Sequence, residues 1–238
     1  MGTGAITAAD YGALARSSPW LWRSVHLRYR GGLDEVEAWI DRPGRMRLRY
    51  PSGAEEERAE DQTAPSSARS YVTLGGDPDG PPPRFRSPHE VRPEQRDDGL
   101  VARRPDDIFV VYDDPIWRNY SWIALLDPSE LSEGVLVEEP AVVERRGRET
   151  WTARLAPTAD YEARCDCCAL MWSRVAADRS GMNIAADATF PEAYDIALDR
   201  ATGIVVSARP AVPGFEDRDS LSFEVEIVEH EAWPAAGG

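Results

Sequence analysis

The sequence predicts an α+β protein: a large antiparallel β-sheet with a few covering helices. Three observations lead there. Between Trp22 and Tyr50, apolar residues recur at every second position through successive short runs. Further alternating runs fill the second half of the chain, the clearest being Leu221, Phe223, Val225 and Ile227. Stretches with helical spacing are few and short. A sheet with one apolar face per strand must curl on itself, pack on a second sheet, or be capped by helices.

Thr7 to Ser17 reads as a helix, with Thr7 as cap and Tyr11, Leu14 and Ala15 on one face. Val25, Leu27 and Tyr29 then alternate with His26, Arg28 and Arg30, and Gly31-Gly32-Leu33-Asp34 is turn chemistry. Val36, Ala38 and Ile40 alternate with Glu37, Trp39 and Asp41. Arg42-Pro43-Gly44 breaks the run, because Pro fixes φ and removes a donor while Gly admits positive φ. Met46, Leu48 and Tyr50 follow, alternating with Arg45, Arg47 and Arg49. The meander therefore has one apolar face and one row of arginines. Like charges placed opposite each other repel, so Glu35, Glu37 and Asp41 are expected to interleave with that row.

Residues 51–65 read as an exposed acidic loop and Tyr71–Leu74 as a brief strand. An insertion at about 77–105, densest in Pro and Gly over 77–93, interrupts what reads as a single domain spanning 1–238. Ile108–Tyr112 is a continuous apolar run and reads as a buried strand. Pro115–Leu126 carries the densest aromatic patch, with Trp117, Tyr120 and Trp122. Asp127 is placed to cap a short helix, with Pro128 at its first position. Val135–Leu155 reads as a hairpin around Arg145–Arg148, and Tyr194–Arg209 as another around Asp199–Gly203.

The formal net charge of −15 argues against nonspecific DNA or RNA binding and against anionic membrane surfaces. All 27 basic residues are arginine, which excludes a phosphate-loop lysine, a Schiff-base lysine and a kinase-type strand lysine. The missing lysine fits a GC-rich coding bias. No apolar run approaches the ~20 residues of a membrane span, so no integral membrane segment is expected. Met1–Asp10 lacks the charged start and apolar core of a secretory signal, so a cytoplasmic location is expected.

The order of these elements resembles a known architecture. A short N-terminal helix, an alternating strand, and then a strand with Arg42-Pro43-Gly44-Arg45 leading into another strand is similar to the LolA/RseB-like lipoprotein-carrier half-barrel. Tyr194 to Val206, with Asp199-Arg200-Ala201-Thr202-Gly203, followed by the Leu221–Ile227 strand, resembles the closing hairpin of actinobacterial members. The resemblance implies a strongly curved antiparallel β-sheet, a half-barrel, wrapped around a few covering helices, with a concave side that binds acyl chains.

Function is less legible than fold. The leading expectation is non-catalytic binding of a hydrophobic ligand (an acyl chain, lipid or lipopeptide) in the concavity, lined by Trp22, Leu27, Tyr29, Ile40, Met46, Leu48, Trp117 and Trp122. The alternative is a metal or redox module built on Cys165, Cys167 and Cys168, all the cysteines of the chain. These three could bind zinc, with His26, His89 or His230 completing a tetrahedron. Cys165 and Cys168 also have the spacing of a redox disulfide, and all three could instead be small apolar fillers backed by Leu170, Met171 and Trp172. A third reading is a protein-interaction scaffold using the acidic and Pro-rich loops. An enzyme is not expected. The pairs Asp106-Asp107, Asp113-Asp114 and Glu138-Glu139 are adjacent, and neighbours on a strand face opposite ways. No G-x-S-x-G elbow or Gly-rich phosphate loop occurs.

Overall fold

A computed structural model describes residues 5–32, 34–59, 84–185, 187–211, 215 and 222–232. Helix α1 (Ala8–Leu21) opens with a capping box: the Thr7 hydroxyl accepts the Asp10 N–H, and the Asp10 carboxylate accepts the Thr7 N–H. It runs four residues beyond the expected end, through Pro19. Tertiary bonds hold that last turn, since Ser18 Oγ donates to the carbonyl of Leu126 at 2.5 Å. Its burial is nearly all-round, from Tyr11 to Ala15 and again from Ser17 to Pro19. Small residues such as Gly12, Ala13 and Ala15 allow that close approach.

Strands β1 (Ser24–Gly31), β2 (Asp34–Asp41), β3 (Arg45–Arg49) and β4 (Glu55–Ala59) form an antiparallel meander. A two-stranded sheet, β5 (Glu94–Gln95) and β6 (Val101–Arg103), follows beside α1. Next come α2 (Tyr120–Leu126), the hairpin β7 (Val135–Arg145) and β8 (Arg148–Pro157), and α3 (Arg174–Arg179). Strands β9 (Tyr194–Asp199), β10 (Val205–Pro210) and β11 (Phe223–Glu231) complete a nine-stranded antiparallel sheet of order β4-β3-β2-β1-β11-β10-β9-β8-β7. The last strand thus pairs with the first, Leu27 opposite Ile227 and Tyr29 opposite Val225.

The α+β class is as expected: one large antiparallel sheet with three α-helices among the described residues. The strong curl is not: the sheet is open, with β4 and β7 as separate edges. Its inner face carries Val25, Leu27, Val36, Ala38, Ile40, Met46 and Leu48, which join α1 and α2 in one core. The outer face is the expected ladder of opposite charges, with Arg30 on Glu35, Arg28 on Glu37 and Arg23 facing Asp41.

Other expectations are corrected. Within the acidic 51–65 segment, Glu55–Ala59 is a strand, because Glu55 and Glu57 lie opposite Arg49 and Arg47 of β3. Ile108–Tyr112 is no strand: Val110 makes a single bridge with Arg86, and Ile108 is 71% exposed. Tyr71–Leu74, residues 77–83 of the insertion, and Leu221 lie outside the described residues. Asp127 is the C-cap of α2, its N–H donating to the Ile123 carbonyl, and not an N-cap; the following 3-10 turn, Ser129–Leu131, has Pro128 at that position.

Candidate functional site

The residues expected to line a concave ligand site converge, but into packed core. Trp22, Leu27, Ile40, Met46, Leu48, Trp117 and Trp122 are all buried in the cluster between the sheet and the helices. They form two neighbourhoods. Trp22 lies under the Arg42 guanidinium, 3.3 Å from its ring centroid, and donates to Ser18. At the far end of β1, Tyr29, Trp117 and Trp122 meet edge to face at 5.2–5.7 Å, and Phe223 stacks on Tyr29. Trp117 donates to Tyr50, while the Trp122 indole N–H has no acceptor among the described residues.

One acidic pair separates, its two carboxylates engaged by different arginines. Asp113 receives Arg164 and Asp114 receives Arg42. The three histidines also disperse. His26 stacks on Trp39 and meets Glu37 at 2.8 Å, His89 faces Ser87, and His230 lies beside Arg148. On the outer face, His26, Trp39, Arg47, Glu57 and Glu229 line an open groove of about 970 Å³ whose charges alternate in sign.

The cysteines are the group that comes together. Residues 160–173 run past α2 and the Ser129–Leu131 turn, and a set of buried charges fixes their course. Asp127 is fully buried and bonded by both Arg104 and Arg164. Burial opposes its charge, yet the two guanidiniums outweigh that and hold the carboxyl below its ordinary value. Arg164 also donates to Asp113 at 2.8 Å. One turn further on, Glu130 accepts the Arg164 N–H at 2.8 Å on one oxygen. Its other oxygen accepts the Leu170 N–H at 2.9 Å and the Tyr161 hydroxyl at 2.5 Å. Burial pushes the Glu130 carboxyl above its ordinary value against these three donors. A single carboxylate therefore holds both ends of the segment that contains the thiols.

Between those anchors, Asp166–Cys168 forms a 3-10 turn closed by the Cys168 N–H on the Cys165 carbonyl. The three thiols are free, with Cys165 and Cys167 Sγ 3.0 Å apart, Cys167 and Cys168 Sγ 3.8 Å apart, and all within 4.8 Å of one another. None of the three is fully buried, whereas Leu170 and Met171 beside them are. Their electrostatics are unequal. Burial opposes ionisation of Cys165, but hydrogen bonds from the Cys167 and Cys168 thiols and backbone N–H groups hold its pKa below the ordinary thiol value. Its hydrogen bond to Cys165 raises Cys167, and burial followed by Cys165 pushes Cys168 up to about 12. Among the described residues, no histidine or carboxylate joins the three sulfurs.

No family model matches this chain. No curated protein matches it either. Among solved structures, the crystal structure of MucB is similar, with a TM-score of 0.40 and 12% sequence identity. The match covers 99% of this chain and 62% of that one, so this chain spans less than two thirds of MucB's length. No helix among the described residues is long and apolar enough to cross a membrane.

The sequence pointed to the thiols but not to what supports them. Glu130 lies 34 residues from Arg164 and 40 from Leu170, and a lone Glu after a Pro-Ser pair carries no local signal. Arg164, next to Cys165, was the nearer clue.

Proposed function

We propose that this chain is a non-catalytic binding protein whose ligand is a thiophilic metal ion held by Cys165, Cys167 and Cys168. The observation that carries the reading is the meeting of three sulfur atoms within 4.8 Å on a segment tied at both ends to Glu130. Thiolates are the soft ligands that such ions prefer, and a ligand loop fixed by outer partners loses little entropy on binding. Zinc belongs to this class of ion. The engagement of Asp113 and Asp114 by separate arginines supports a non-catalytic role. The test is thiol counting on the purified chain with and without Zn(II) or Cu(I). One ion per chain should protect all three thiols together; thiols that react equally fast in both conditions would remove the reading.

A second reading, a hydrophobic ligand such as an acyl chain, is favoured by one observation. The Trp122 indole N–H, on a residue 2% exposed beside Tyr29 and Trp117, has no hydrogen-bond partner among the described residues. A buried donor left unmade costs about 1–3 kcal/mol, which a ligand acceptor would recover. Solvent extraction of the purified protein followed by mass spectrometry tests it, together with tryptophan fluorescence during titration with a fatty acid. An empty extract and an unresponsive signal would end it.

A further inference from the structure

We infer that the thiol site takes a soft ion satisfied by three sulfur donors, of the copper(I) class, in preference to tetrahedral zinc. The inference rests on the reading that Cys165, Cys167 and Cys168 hold a metal, and names which kind.

The donor set decides first. Three sulfurs lie together, and no histidine or carboxylate among the described residues stands with them. A structural zinc site is almost always four-coordinate, with a further Cys or His closing the tetrahedron. The three histidines that could do this are committed elsewhere: His26 to Glu37 and Trp39, His89 to Ser87, and His230 beside Arg148.

The surrounding oxygen donors are committed as well. Asp113 and Asp127 are bonded to Arg164, and Glu130 spends both oxygens on Tyr161, Leu170 and the Arg164 backbone. Recruiting any of them would break a buried bond that fixes the loop. A hard or borderline ion that seeks oxygen or nitrogen thus finds none released, whereas an ion content with sulfur alone finds its full set.

The experiment uses the whole chain under anaerobic conditions, loaded in parallel with Cu(I) against a chromophoric chelator, with Zn(II), and with Co(II) as a spectroscopic stand-in for zinc. X-ray absorption at the copper edge should count three sulfurs with no nitrogen or oxygen, at one copper per chain. Each of Cys165→Ser, Cys167→Ser and Cys168→Ser should lower that count to two; these side chains are not buried, so the fold is retained. Tetrahedral Co(II)–thiolate bands together with two-coordinate or clustered copper would overturn the inference while leaving the metal reading standing. If no metal protects the thiols, the metal reading itself falls, and this inference with it.

Discussion

The carboxylate of Glu130 accepts the backbone N–H of Leu170 at 2.9 Å, and its second oxygen takes the N–H of Arg164 at 2.8 Å. Cys165, Cys167 and Cys168 lie on the chain between these anchors, so what Glu130 fixes is the shape of the thiol segment. Replacing Glu130 by Gln keeps the size but turns one acceptor oxygen into a donor facing an N–H. Metal affinity is expected to fall about ten- to a hundredfold, the usual cost of losing an outer partner of a ligand. Competition with a chromophoric chelator measures it. An unchanged affinity would show that the thiols need no support from Glu130.

Arg42 and Asp114 form a buried ion pair, at 8% and 4% exposure, bonded through both oxygens at 2.8 and 2.9 Å. Arg42 also donates to the Ser18 carbonyl and lies over the Trp22 ring, so the β2–β3 turn, the end of α1 and the 113–114 loop meet at one guanidinium. Asp114→Ala leaves that charge buried and uncompensated. Destabilisation of about 3–5 kcal/mol is expected by denaturant unfolding. A loss below about 1 kcal/mol would place the pair among the weak surface bridges instead.

These two sites show how far the sequence carries. Period-two alternation located β1, β2, β3 and β11, and the opposed charges of the outer face followed from register alone. Arg42 belongs to a motif read only as a turn, and its role depends on Asp114, 72 residues away. Ile108–Tyr112 misled because β-branched, apolar composition is shared by strands and by loops packed on a core. Leu27, Ile40, Met46 and Leu48 share the inner face of the sheet, but periodicity cannot tell a wall facing a cavity from one facing a helix. Whether α1 fills that space depends on its all-round burial, which small residues permit without announcing.

Gly134, just before β7, has φ +67°, and a Cβ there would lie 2.4 Å from the carbonyl oxygen of Asp160 and 2.6 Å from Tyr161 Cα. Both obstacles are backbone and cannot swing aside. Gly134→Ala is expected to cost about 2 kcal/mol or more, left-handed strain alone being worth about 1–3 kcal/mol for a residue with a side chain. Displacing Tyr161 also disturbs its hydroxyl on Glu130, so metal affinity should fall alongside the melting temperature. A variant that melts normally would show that the 158–161 turn gives way easily.

Asp10 ties the start of α1 to the 96–98 turn and supplies the pH dependence most open to measurement. The Arg96 guanidinium, followed by the Thr7 N–H and hydroxyl, lowers its pKa from 3.8 to about 2. A carboxyl depressed in the folded state stabilises above its unfolded value, and that contribution is lost as the pH falls through the folded one. Its share of stability is therefore complete above roughly pH 4 and disappears between about 4 and 2. Asp10→Asn should melt lower than the parent at pH 6, with the gap closing by pH 2. The comparison removes the background of other carboxylates, since both proteins share it. Thr7→Ala, which breaks the other half of the capping box, should cost about 1 kcal/mol at neutral pH. A gap between parent and Asp10→Asn that stays constant from pH 6 to 2 would mean that the Asp10 charge contributes nothing to holding α1 in place.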